Sequence, residues 1–187
     1  MEPASRQSPY YSMERARIIR LGVTILATLC GSDSVLADWA QPLDWETYRS
    51  ERFGYSLLFP AGVLEQHSET PDGRGVELSS KNGLVRLKVL TADNADQISI
   101  GEYRAAILRE LSEGRQLQYG PMGQSWFVLS GVRGDSIYYQ KVVFACGGRI
   151  INAFALTYPE EQRREFDPVV TTIEKNFHPT AGPDCYR

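Results

Sequence analysis

Histidine is nearly missing from this 187-residue chain, which holds only His67 and His178, beside three cysteines. That scarcity narrows the chemistry. A serine or cysteine hydrolase needs an imidazole held rigidly beside its nucleophile. His67 stands in a polar loop, and His178 follows the last apolar stretch, ahead of Pro179; both read as surface side chains. No Gly-x-Ser-x-Gly elbow occurs, so the strained turn that presents a serine is not encoded. Nor is there a phosphate loop, because Gly73-Arg74-Gly75 leads into an alternating strand pattern rather than a helix. Charge of one sign is nowhere concentrated. Twenty Lys+Arg are interspersed with 23 Asp+Glu, a net charge of −3, which leaves no basic stripe for nucleic acid. The apolar run from Leu21 to Cys30 is far shorter than the roughly 20 residues that cross a bilayer.

That run fits a different purpose. Arg15, Arg17 and Arg20 form a basic head before it, and Val35-Leu36-Ala37 supplies small residues after it. This is the pattern of an export signal, with Met13 as its natural start and cleavage expected between Ala37 and Asp38; an uncleaved anchor is the alternative. The expected organisation is a signal peptide over 1–37 and one globular domain over 38–187, long enough for a single continuous core. Cys30 ends the apolar run as a lipid-bearing cysteine would. However, Leu29 precedes it, where lipidation wants Gly, Ala or Ser. Without the leader, Cys146 and Cys185 remain as an even pair in an oxidising compartment, the bacterial periplasm or exterior. Neither has a nearby His or second Cys that would suggest a metal site or reactive thiol. A disulfide is expected, closing a loop of about 40 residues for roughly 4 kcal/mol.

Along the domain, 38–52 carries Trp39, Trp45 and Tyr48 and reads as an irregular arm. A strand follows from Tyr55 to Phe59, stopped by Pro60, and then a loop from Ala61 to Gly75. Val76 and Leu78, then Val85, Leu87 and Val89, alternate with polar residues around Asn82-Gly83, which predicts a hairpin. Ser99 and Glu102 form a capping box for a helix that ends at Gly114, with Ile100, Tyr103, Ile107 and Leu111 on one side. Four strands in short antiparallel succession are predicted over 116–120, 125–132, 136–146 and 149–158. Two of them, around Trp126–Leu129 and Val142–Ala145, are apolar on both faces and so need cover on both. Pro159-Glu160-Glu161-Gln162 opens a short helix. Asp167 and Pro168 then look like the cap and first residue of another, whose stripe is Val169, Val170, Ile173 and Phe177.

Phe53-Gly54-Tyr55-Ser56 with Phe59-Pro60, and Tyr158-Pro159 with Phe166, Ile173 and Phe177, resemble the opening and closing landmarks of PsbP-like domains. That family is named for an extrinsic protein of the photosystem II oxygen-evolving complex. The resemblance covers nearly all of 38–187 and implies an α+β fold: a central antiparallel sheet of about six or seven strands with helices over both faces. It also implies a binding or assembly module rather than an enzyme. Asn176 stands where the family's last helix often has Ser, and the metal-contacting residues of some members have no matching motif here.

Other candidates weigh less. Glu65, His67, Glu69 and Asp72 are the densest set of metal-ligand types, at a spacing that shares one side of an extended segment, yet they lack a His-x-x-x-His or Cys pair. Asp93, Asn94 and Asp96 begin like a calcium loop that is missing its glycine and final Glu. Arg133-Gly134-Asp135-Ser136 contains an adhesion tripeptide, but Gly-Asp is also what a tight hairpin requires. Trp39, Trp45, Tyr48 and Phe53 either pack the arm onto the sheet or form a platform for glycan or peptide; packing is preferred. No catalytic, cofactor or metal residue is assigned. The expected function is an exported, non-catalytic binding or assembly module with a protein or envelope partner. Two alternatives stand beside it: a periplasmic hydrolase built on the carboxylates of Glu65 to Asp72, which needs a pocket of convergent carboxylates with raised pKa, and a small-ligand carrier.

Overall fold

The computed structural model describes residues 43–50, 53–111, 115–179 and 185, all within the compact unit Asp38–Arg187. The expected signal peptide, the cleavage point at Ala37 and Asp38, Cys30 and Trp39 lie outside the described residues. In chain order the elements are β1 (Trp45–Ser50), β2 (Tyr55–Pro60), β3 (Gln66–Glu69), β4 (Gly75–Ser79), β5 (Arg86–Asp93), α1 (Ile100–Leu111) and β6 (Arg115–Tyr119). Then come β7 (Trp126–Arg133), β8 (Ser136–Ala145), β9 (Ile150–Pro159), α2 (Arg163–Asn176) and β10 (His178–Pro179).

The expected α+β class holds. Seven antiparallel strands form the main sheet in the order β3-β4-β5-β9-β8-β7-β6, and β1-β2-β10 form a smaller one. Alternation along each strand sends side chains to two separate cores. From β8, Ile137 and Tyr139 enter one, and Val142 and Phe144 the other. The larger core lies under α2 and the small sheet. It holds Leu57 of β2, Val76 and Leu78 of β4, Leu87 and Val89 of β5, Phe154 and Leu156 of β9, and Phe166, Val169 and Ile173 of α2. The smaller core lies under α1, where Ile100, Tyr103, Ile107 and Leu108 cover Phe127, Leu129, Val142, Phe144 and Ile151. This is the two-sided cover that the doubly apolar strands demanded, although a small sheet shares one side with its helix.

Three local expectations are corrected. The arm is not irregular throughout: Trp45 to Ser50 pair along β2 from Pro60 to Tyr55. Trp45 and Tyr48 pack against the larger core at odd spacing, so the segment shows no period of two. The loop after β2 contains β3, a rim strand of four exposed residues. And α2 begins at Arg163, with Pro168 inside it. Asp167 does not cap the helix but accepts a hydrogen bond from the Tyr158 hydroxyl at 2.9 Å. Stacking of Phe166 on Tyr158, 5.1 Å between centroids, anchors the turn ahead of Pro168 and offsets the backbone bond that the ring removes. At the β4–β5 turn only Gly83 of the Asn-Gly pair takes a positive φ, +69°. Asn82 instead accepts from the Ser80 hydroxyl at 2.7 Å and the Leu84 amide at 3.1 Å.

The capping box forms as read. The Ser99 amide and hydroxyl both donate to Glu102, at 2.9 and 2.7 Å, and the Glu102 amide returns a bond to Ser99 at 3.2 Å. These bonds hold the Glu102 carboxyl below its ordinary pKa.

Candidate functional site: the aromatic rim of the sheet

The carboxylates singled out between Glu65 and Asp72 do not converge. Glu65 is exposed, and so are the side chains of Glu69 and Asp72. Asp72 closes its own turn: it accepts from the Thr70 hydroxyl at 2.7 Å and the Arg74 amide at 3.0 Å. Those bonds push its pKa down, the opposite of what a general acid needs. His67 lies on the rim strand β3, 3.9 Å from Glu69 and edge-on to Tyr48. Among the described residues no group of three or more His, Cys, Asp and Glu could hold a metal ion.

Asp93 is paired with Arg74 at 2.7 Å. Buried Asn94 stitches its loop together by donating to the carbonyls of Ile98 and Gly148 and accepting from the Ile98 amide. Gly134 and Asp135 form the two-residue turn between β7 and β8, with Gly134 at φ +56°, and the Asp135 carbonyl accepts from the Glu160 amide. Phe53 is buried, and Trp45 and Tyr48 pack on the larger core, so these three aromatics are not a platform. Cys146 and Cys185 stand at disulfide distance, 5.2 Å between Cα atoms and 39 residues apart in sequence. Arg149 donates to the carbonyls of both.

What the sequence did not single out is the other rim. Seven large apolar side chains are exposed among the described residues, and four fall within ten positions: Leu117 (44%), Tyr119 (56%), Met122 (53%) and Trp126 (37%). The outermost strand, β6, carries the first two. Its register against β7 slips after Leu117, which faces Gly131, so that Tyr119 faces Ser130. Gln118 is the extra residue of a bulge. Without the bulge Leu117 and Tyr119 would share one face. With it, Leu117 lies on the α1 face and Tyr119 on the α2 face beside Tyr139, whose pKa burial and Glu174 both raise.

Trp126 is held beside them by three features. Gly123 is one: a Cβ there would come within 2.4 Å of the indole Nε1, so only glycine lets the ring lie down on this turn. The Lys141 ammonium is another, 5.8 Å from the ring centroid, while its Nζ also pairs with Glu174 of α2 at 3.2 Å. Finally, the Gly123 amide donates to the Trp126 carbonyl, and Met122 bridges to Phe127. On the α1 side, Arg104 reaches the Gly120 carbonyl at 3.0 Å, leaving its buried Nε–H without a partner. The result is a positioned, half-exposed aromatic and thioether rim. Apolar exposure gathered along one rim of an otherwise well-packed domain marks an interaction site more often than a reaction site.

The fold recurs in solved structures. The solution structure of cyanobacterial PsbP (CyanoP) from Synechocystis sp. PCC 6803 superposes with a TM-score of 0.55 at 15% identity, covering 82% of this chain and 98% of that one. The chain has a PsbP-like fold. The same fold is shared, at a TM-score of 0.52 and 9% identity, with the Ran-binding protein Mog1p of Saccharomyces cerevisiae, covering 76% of this chain and 98% of that one. A mutant of protein Mog1 gives 0.53 at 10% identity, over 77% and 100%. No protein-family model and no curated protein sequence matches. At these identities the likeness concerns the fold, which by itself assigns no activity. Among the described residues no helix is long and apolar enough to cross a membrane.

Proposed function

We propose that the chain is an exported, non-catalytic binding or assembly module of the bacterial cell envelope whose partner is a protein. The observation that carries this reading is the rim formed by Leu117, Tyr119, Met122 and Trp126, apolar side chains exposed on an edge strand and the turn that follows it. A Ran-binding protein among the structural neighbours is in keeping with protein partners. Export rests on the leader pattern over residues 13–37 and on Cys146 and Cys185, which stand where an oxidising compartment would join them. The exposed carboxylates around Glu69 offer a hydrolase no desolvated acid–base pair.

The test is to express the full chain in a bacterial host and recover it from the envelope, comparing wild type with a Met122→Ala/Trp126→Ala variant. The expected result is a processed amino terminus at Asp38 and a defined protein partner that the variant loses while keeping its fold. Retention of the leader, or the same partner bound equally by both proteins, overturns the corresponding half of the reading.

A further inference from the structure

We propose that Arg104 is the anchor of the binding rim on its α1 face, and that the partner meets it with an acidic side chain set between two apolar ones. The inference rests on the protein-binding reading above and names the chemistry this face would recognise.

Other partly buried cations of the domain are neutralised. Arg74 meets Asp93 at 2.7 Å, Lys141 meets Glu174 at 3.2 Å and Arg163 meets Glu160 at 3.3 Å. Arg104 is partly buried as well, yet the group it reaches is a backbone carbonyl, that of Gly120. Its Nε–H is buried without a partner. A carbonyl dipole does not cancel a full charge, whereas a carboxylate supplies both the counter-charge and stronger hydrogen bonds. The chain nearby offers none: no Asp or Glu occurs between Glu113 and Asp135. On α1 itself, Glu102 is committed to the Ser99 cap, and both Glu102 and Glu110 lie more than about 100° around the helix from Arg104.

The guanidinium lies between two of the exposed apolar side chains. A Cβ on Gly120 would come 3.1 Å from Arg104 Nη2 and 3.4 Å from Leu117 Cδ2, so charge and methyl adjoin beside a residue that has no side chain to cover either. Opposite residues of paired strands share a face. Met122, opposite Phe127 of the smaller core, therefore lies on the α1 face with Leu117, which is opposite Gly131. Four β7 positions separate these partners, about 13 Å, and Gly120 falls between them. A bare anion would answer the charge and leave both apolar groups in water. A segment that reads apolar-x-acid-x-apolar answers all three, because extended chain spaces its first and fifth residues by about 13 Å on one face.

The test titrates the isotopically labelled full chain with a seven-residue peptide in which serine alternates with leucine, glutamate and leucine. Its ends are acetylated and amidated, so the glutamate is its single carboxylate, and a glutamine counterpart is the control. Nuclear magnetic resonance reads the Arg104 Nε–H signal and the amides of 117–122. The expected result is a saturable shift of both, with affinity for the glutamine peptide at least tenfold lower. The Arg104→Gln variant, which keeps a donor for the Gly120 carbonyl, should bind the glutamate peptide at least tenfold more weakly and no longer distinguish it from the glutamine one. An Arg164→Gln control, neutralised at an exposed arginine of α2, should bind as wild type does. Unchanged amide-exchange protection in β9 shows that Arg104→Gln keeps its fold, and the two peptides compared on wild type test the proposal without it.

Equal binding of both peptides by wild type, shifts confined to another face, or no binding of the glutamate peptide overturns the proposal. So does an equal response to inorganic phosphate or to octanoate at the same concentration, which would make the ligand a bare anion or a lipid carboxylate. If the native partner is lost by Met122→Ala/Trp126→Ala but kept by Arg104→Gln, the acidic anchor fails while the binding-module reading stands.

Discussion

Replacing Cys146 and Cys185 together by serine removes a cross-link between positions 39 residues apart, and its cost can be worked out in advance. Joining the ends of a loop of that length lowers the entropy of the unfolded chain by about 13 cal/mol/K, or about 4 kcal/mol at 25 °C. The native structure has little to lose beyond this. The chain on the way to Cys185 is already held at His178 and Pro179, which pair with Ser56 and Tyr55 of β2. The Arg149 guanidinium would still reach the Cys146 and Cys185 carbonyls. With a urea m-value of about 2 kcal/mol/M for a domain of this size, the midpoint should fall by about 2 M. Equilibrium urea unfolding of the processed protein, oxidised and reduced, checks the figure, with the Cys146→Ser/Cys185→Ser variant alongside. The reduced and serine forms should coincide well below the oxidised one. Identical midpoints with and without reductant would refute the reasoning, and so would titratable thiols at 146 and 185 in protein recovered from an oxidising compartment.

Other perturbations follow from the same geometry. Phe154→Ala empties a fully buried site where the ring stacks on Tyr139 at 6.0 Å and meets Phe177 edge-on at 5.1 Å; chemical denaturation should register a loss of about 3–5 kcal/mol. Gly131→Ala places a Cβ 1.7 Å from the Gln116 carbonyl oxygen and 2.9 Å from the Tyr138 hydroxyl, so β6 must move away. Amide exchange should speed up at 115–119 while the centre of β9 keeps its protection. Ser99→Ala removes the cap hydroxyl of α1 and should cost about 1 kcal/mol. Because the Glu102 carboxyl is depressed in the folded state by Ser99, its contribution is present above the ordinary carboxylate range and is lost as pH falls through the lowered value. Exchange at the first turn of α1 should therefore rise on acidification in wild type and respond less to acid in Ser99→Ala.

Why some of this was legible in the sequence and some was not comes down to which signals are local. The capping box at Ser99 and Glu102 and the alternation through β4 and β5 are written into adjacent residues. The need for two covering layers was readable too, because Phe127-Val128-Leu129 and Val142-Val143-Phe144 leave neither face polar. The start of α2 misled for a physical reason: Asp167-Pro168 has the chemistry of a helix start, and only the tertiary contact with Tyr158 diverts Asp167 from that role. Polar β3 carries no periodicity because both its faces meet water at the rim.

The candidate site depended on the least local fact of all, the order of strands. A chain whose strands β6 to β9 follow one another by short turns does not say which end of that series is outermost. Here β9 slots between β5 and β8, which buries the close of the meander and leaves its opening strand, β6, at the rim. The same Leu117 and Tyr119 placed one strand inward would be ordinary core. At the edge they stay exposed, and the side chain of Trp126, pinned over Gly123, joins them. The identity of the outer strand thus turns four unexceptional residues into the surface on which the proposed function rests.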